Sequence, residues 1–161
     1  MDDNSKKLAL YHYWVAFGLF LPAVLLGAWQ MLMRSPLPVP VDNPDAYYAS
    51  VTLHGSIMAY VLTTFFAMGF GYAVTSTSLG RPIRWAAAAW VGFAICLVGA
   101  LMAALAILSG HASVLYTFYP PLLASAWYYG GAFLLIGGSM IWVVIMIVNM
   151  AAWKRENPGR P

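Results

Sequence analysis

Ionised side chains are scarce in this chain: Asp, Glu, Lys and Arg make up 8% of its 161 residues, against 62% hydrophobic. A soluble domain carries about 25% charged residues, and so short a chain cannot hide that much apolar surface in one water-soluble core. Lipid is the solvent this composition fits. Cysteine is scarcer still. Cys96 stands alone, which excludes an intrachain disulfide and a thiolate cluster for zinc or iron–sulfur. It reads as a small buried hydrophobe. The net charge is only +3, with no basic stripe, so nothing here is built to attract nucleic acid. Alternating apolar and polar positions broken by regular turns are also missing, which argues against a membrane β-barrel.

What is present is four apolar runs, at about 8–33, 47–74, 85–108 and 122–152, none containing Asp, Glu, Lys or Arg. A spanning helix needs about 20 such residues, and within lipid the backbone must satisfy its own hydrogen bonds. The pattern predicts an all-α integral membrane protein, a single membrane domain over 1–161 with four transmembrane helices. The N-terminus opens with Asp2, Asp3, Lys6 and Lys7. No small-residue cleavage site follows a short apolar core, so the first run reads as a span and not as a removed signal peptide.

The connections agree with this division. Pro36, Pro38, Pro40 and Pro44 stand between the first two runs and cannot continue a helix. Asn43 before Pro44 reads as an N-cap with proline at the first helical position. Ser76 to Arg84 is a polar turn with Gly80 and Pro82, and Ser109 to Pro121 is a loop ending in Pro120-Pro121. Lys6, Lys7, Arg81, Arg84, Lys154, Arg155 and Arg160 fall on one side of the membrane, and Arg34 alone on the other. The positive-inside rule then makes the N- and C-termini cytoplasmic. Glycines recur seven apart as Gly92 and Gly99 in the third run, and as Gly130, Gly131, Gly137 and Gly138 in the fourth. Such spacing marks seams where helices approach closely.

Within the runs, His54 is the side chain that stands out chemically, in Ser50-Val51-Thr52-Leu53-His54-Gly55-Ser56. It lies about 10 Å of helix below Tyr47 at 1.5 Å per residue, in the outer half of the bilayer. A polar group at that depth has a partner or a function. Gly55 beside it and Ala59 one turn on leave space for something flat and large, and neutral imidazole is a good axial ligand for haem iron. The plainer alternative is a histidine that bonds a neighbouring helix. Ser50, one turn earlier, is placed to accept the other imidazole proton. His12 sits among aromatics near the inner interface, and His111 in the outer loop reads as solvated. Met58 shares a helical face with His54, so the two cannot supply both axial ligands of one haem.

Leu53-His54-Gly55 opens the second run, and Leu115-Tyr116-Thr117-Phe118-Tyr119-Pro120-Pro121-Leu122 follows the third. In that order, and with this topology, they resemble subunit I of the haem–copper oxidases, nearest its B-type branch, along the whole chain. The resemblance implies that His54 is an axial ligand of the low-spin haem and that Gly55, Gln30 and Tyr116 adjoin the cofactors. Tyr116 matches a tyrosine that lines the oxygen route in B-type members. Gln30 falls where other members place an arginine against a haem formyl group, so the low-spin haem is expected to be haem b. The family's subunit I has about twelve spans. The chain is thus expected to form the N-terminal portion of that subunit, without the ligands of the high-spin haem and copper that the full subunit carries. Implied partners are the remaining subunit I helices, a copper-bearing subunit II, cytochrome c or a similar donor, and lipid, in the cell inner (plasma) membrane. The implied work is electron transfer to an oxygen-reducing centre coupled to proton pumping. A nitric oxide reductase of the same superfamily is one alternative. A non-catalytic four-helix anchor or cytochrome b is the other, although a small b-type bundle would place paired histidines on facing helices.

Overall fold

A computed structural model describes residues 1–36 and 43–159. Its regular elements are helices: α1 (Asp3–Arg34), α2 (Pro44–Ser56), a π-helical segment (Ile57–Leu62), α3 (Thr63–Leu79), α4 (Ala86–Leu108) and α5 (Ala126–Glu156). α2, the π segment and α3 run on as one rod, so four rods among the described residues are long and apolar enough to cross a membrane. Each coincides with one of the four apolar runs. Of the connection residues read from sequence, Pro38, Pro40 and Arg160 lie outside the described residues.

Local chemistry fixes several ends. Asp2 caps α1, its carboxylate accepting from the backbone N–H groups of Asn4 and Ser5 at 3.1 and 3.3 Å. Asn43 caps α2 as its sequence suggested, accepting from Ala46 N at 3.2 Å with Pro44 next. α3 stops at Gly80, whose φ of +63° closes the helix in a left-handed turn that glycine adopts without steric cost. The fourth helix starts at Ala126, four residues later than its apolar run. The loop before it is held instead by a short antiparallel bridge between Ala112 and Ala124.

α4 and α5 are packed along a seam of glycines. An added Cβ on Gly99 would sit 2.5 Å from Gly131 O, and one on Gly138 would sit 2.7 Å from Gly92 O. The seam thus uses one glycine of each pair in α5. Gly137 has nothing within 4 Å and Gly130 only the tip of Met102 at 3.6 Å. α1 lies against the second rod, and a core of Leu8, Phe65, Met68, Tyr72, Phe93 and Ile145 draws all four rods together. His12 belongs to this core. It is fully buried between Phe65, Tyr72 and Phe93, with its Nδ1–H donating to Leu8 O at 2.7 Å. Cys96 is fully buried too, within reach of Leu135 O.

One end of the bundle gathers the start of α1, the end of α5 and the 80–85 turn. Ile83 N donates to Ser5 Oγ at 3.1 Å, and Trp90 Nε1 donates to Asn4 Oδ1 at 3.0 Å. Asn149, buried in α5, accepts from Arg84 N at 2.9 Å, while Arg81 donates to Asn149 O at 2.6 Å. Glu156 pairs with both Arg81 and Arg84. The opposite end carries the 109–125 loop and the segment around His54.

Candidate functional site

His54 lies in the last turn of α2, directly before the π-helical segment. Its imidazole crosses to α1, where Nδ1–H donates to Ala23 O at 2.7 Å. Because a carbonyl can only accept, this bond puts the ring proton on Nδ1 and leaves the Nε2 lone pair free. Nε2 makes no hydrogen bond among the described residues, and the residue is half-buried. The contact with α1 is close because position 27 is glycine: a Cβ there would stand 2.9 Å from Cε1 and 3.3 Å from Nδ1.

Ser50 does not take the role its spacing suggested. Its hydroxyl donates to Tyr47 O at 2.7 Å, three residues back on its own helix. A serine in a helix readily satisfies itself in this way, whereas a ring reaching across to α1 finds a backbone oxygen there. The flat group beside Gly55 is the ring of Tyr116, which a Cβ at 55 would overlap. Gln30 lies on the same face of α1 as Gly27, three residues on. It is 8% exposed, and its Nε2 has no partner among the described residues. Ala59 is exposed and Met58 half-buried. His111 is exposed, as read from sequence, with Nδ1 3.0 Å from Ser109 Oγ.

The 109–125 loop is fastened to this segment at three points. Leu115 N donates to Thr52 Oγ1 at 3.0 Å, and Tyr60 Oη donates to Tyr116 O at 2.5 Å. Tyr60 also stacks on Phe118, with ring centroids 6.3 Å apart. The loop reaches Tyr60 through two left-handed residues, Leu115 and Phe118, at φ of +60° and +56°. Such conformations in bulky residues persist only where surrounding contacts hold them. Just beyond, Ser56 Oγ and Tyr128 Oη are 2.9 Å apart and tie the second rod to α5. Beneath that bond lies an apolar cavity of about 240 Å³ bordered by Tyr60, Phe118, Gly99, Gly131 and Leu135. Thr52, Tyr60 and the π segment carried no signal in the apolar pattern, and a backbone oxygen such as that of Ala23 has no sequence signature at all.

The site therefore offers one imidazole whose free nitrogen is fixed by its partner, rather than a ligand cage. Among the described residues, no three His, Cys, Asp or Glu side chains gather as a protein-only metal centre requires.

Comparison with known proteins gives this arrangement its context. Residues 7–160 match the family described as cytochrome c and quinol oxidase polypeptide I. Cytochrome c oxidase subunit 1 of Thermus thermophilus is 30% identical, over 97% of this chain and 29% of its own length. A cryo-EM structure of a heme-copper terminal oxidase dimer superposes with a TM-score of 0.91 at 36% identity, over 99% of this chain and 28% of that one. The chain thus spans under a third of the length of these relatives. With a family match from the first helix to beyond the last and a shared fold of four spans, this chain belongs to the cytochrome c and quinol oxidase polypeptide I family and matches a portion of the heme-copper oxidase subunit I fold.

Proposed function

We propose that this chain is the N-terminal portion of the haem-binding subunit I of a respiratory terminal oxidase, and that His54 is an axial ligand of its low-spin haem. The observation that carries this reading is the Nδ1–H bond from His54 to Ala23 O at 2.7 Å. A ligating imidazole characteristically gives its second N–H to a carbonyl or carboxylate, which fixes the tautomer, orients the ring and strengthens the ligating nitrogen. The residues present fit a haem in this respect. When bound, the haem supplies a one-electron couple. Gln30, buried with an unpartnered amide N–H group, offers a neutral donor that suits a haem b periphery. Gly55 admits the Tyr116 ring, which would stand beside the cofactor as it does beside His54's helix.

The family relation supports the wider setting. The named relatives are oxidases, which favours oxygen over nitric oxide as the substrate. The B-type branch rests on the Tyr116-bearing loop. The remaining subunit I helices would bring the high-spin haem, copper and their ligands. A copper-bearing subunit II would pass electrons from cytochrome c or a similar donor, and proton pumping would accompany the chemistry. The Lys and Arg asymmetry supports cytoplasmic termini in the cell inner (plasma) membrane, with the whole chain acting as a single membrane domain.

The test is His54→Ala in the assembled complex, read by the reduced-minus-oxidised spectrum. Alanine offers no donor to iron, so the low-spin b-type α-band should be lost, while His111→Ala should keep it. A His54→Ala complex with the full band and an unchanged reduction potential would refute the assignment.

A further inference from the structure

α1 passes close to the His54 ring at position 27, which is glycine. An ideal Cβ built there lies 2.9 Å from Cε1, 3.3 Å from Nδ1 and 3.7 Å from Nε2. The first of these is closer than real Cβ contacts come, and the ring would have to shift. The shift is constrained, because Nδ1–H is tied to Ala23 O at 2.7 Å one turn earlier on the same helix. Ala23 and Gly27 are four residues apart and share one face of α1. Together they meet the imidazole at two points: the Ala23 carbonyl fixes Nδ1, and the bare backbone at Gly27 lets the ring lie close to α1. The other glycine of α1, Gly18, has no such role, since nothing lies within 4 Å of a Cβ there. Glycine also weakens a helix interior relative to alanine, so its presence at 27 goes against local helix preference.

We infer that Gly27 is a positioning residue for the His54 imidazole, and through it for the reduction potential of the haem that His54 ligates. The inference rests on the ligand assignment above. The Nδ1–H bond to a carbonyl raises the basicity of Nε2, and a more basic axial ligand favours the ferric state and lowers the potential. Alanine at 27 would push the ring off Ala23, lengthen that bond and weaken Nε2 as a donor. The potential of the low-spin haem should then rise.

The experiment uses the assembled membrane complex with Gly27→Ala, Gly18→Ala and His54→Ala. Redox titration and low-temperature EPR of the low-spin ferric signal are the readouts. Gly27→Ala should move the potential upward and shift the EPR g values, while Gly18→Ala leaves both unchanged. Should Gly27→Ala fail to assemble, the double variant Gly27→Ala/His54→Ala decides. If it assembles as well as His54→Ala alone, the damage at 27 requires the imidazole and the inference stands. If the double variant assembles worse than His54→Ala alone, the damage at 27 does not require the imidazole, glycine serves α1 packing and the inference falls. It also falls if assembled Gly27→Ala keeps the wild-type potential and EPR signal. Retention of the haem by His54→Ala would instead overturn the ligand assignment itself, so the two failures are told apart.

Discussion

Gly131→Ala places the demand on the α4–α5 seam most directly. A Cβ at 131 would stand 2.5 Å from Gly99 O and 2.8 Å from Ala103 N. Both are backbone atoms, so no side chain can swing aside. Ordinary contact begins at 3.4 Å, and the two helices must therefore part by roughly 1 Å in a close-packed interior. A radial gap of about 0.5–1 Å forfeits a quarter to a half of each dispersion contact, and overpacking of this kind costs about 1–3 kcal/mol. Alanine recovers up to about 1 kcal/mol of helix propensity. The net expectation is a loss of about 1–2 kcal/mol.

Gly137→Ala is the internal comparison. It gains the same propensity and meets nothing within 4 Å, so it should be neutral or slightly stabilising. Equilibrium unfolding of the purified chain by SDS titration in mixed detergent micelles, followed by helicity, compares the two. If Gly131→Ala were as stable as Gly137→Ala, the seam would not be the close backbone contact described here.

The terminal end should show an inverse order of charge and stability. Asn149→Leu removes the acceptor of Arg84 N from a buried position and should cost about 1–3 kcal/mol. Glu156→Gln, whose side chain is half exposed, should cost under about 1 kcal/mol; chemical unfolding of the two variants checks the ranking. His12→Ala empties a fully enclosed site among three aromatic rings and should cost about 2–5 kcal/mol without altering the haem spectrum, which unfolding and absorbance measure together. Thr52→Val keeps the shape but strands Leu115 N; it should loosen the 109–125 loop, seen as faster proteolysis near Tyr116. Cysteines placed at Gly80 and at Gly110 should react with impermeant thiol reagents from opposite faces of the membrane, and labelling of both from one face would refute the proposed orientation.

The four spans were legible because lipid imposes a single strong rule, a long run without ions, and the chain obeys it in all four places. The Asn43-Pro44 start was legible because capping is local chemistry. The seam was half legible. Spacing flagged both glycines of each α5 pair, but only the direction in which each Cα faces selects Gly131 and Gly138. At the site, His54 was legible as an imidazole at depth, while its partner was not. Ser50 is near in sequence, yet its hydroxyl is consumed by Tyr47 O, and the true acceptor is a backbone atom 31 residues away. The late start of α5 was hidden for a similar reason. Leu122 and Leu123 are apolar enough to extend the span, but Leu123 O is engaged by Ser113 N in the loop.

Two kinds of hydrogen bond made by polar side chains inside the spans mark out the candidate site without reference to any family. Thr63, Thr77 and Ser139 turn back onto carbonyls of their own helices, the self-sufficient solution available at any depth. Others reach across elements, and at the loop end these converge on residues 52–60. Thr52 and Tyr60 hold the loop, His54 holds α1, and Ser56 holds α5. Three separate elements thus clamp a stretch of nine residues, just where the α-helix gives way to a π segment. Two such devices at one place are costly to build in lipid, where each unsatisfied polar group is penalised. An anchor helix needs only the glycine seam and the apolar core below. A ligand whose geometry must stay fixed while the charge beside it changes by one electron needs a mounting of this kind, and under the proposed ligand role of His54 the same clamp is why a single added methyl group at Gly27 should be felt at the haem iron.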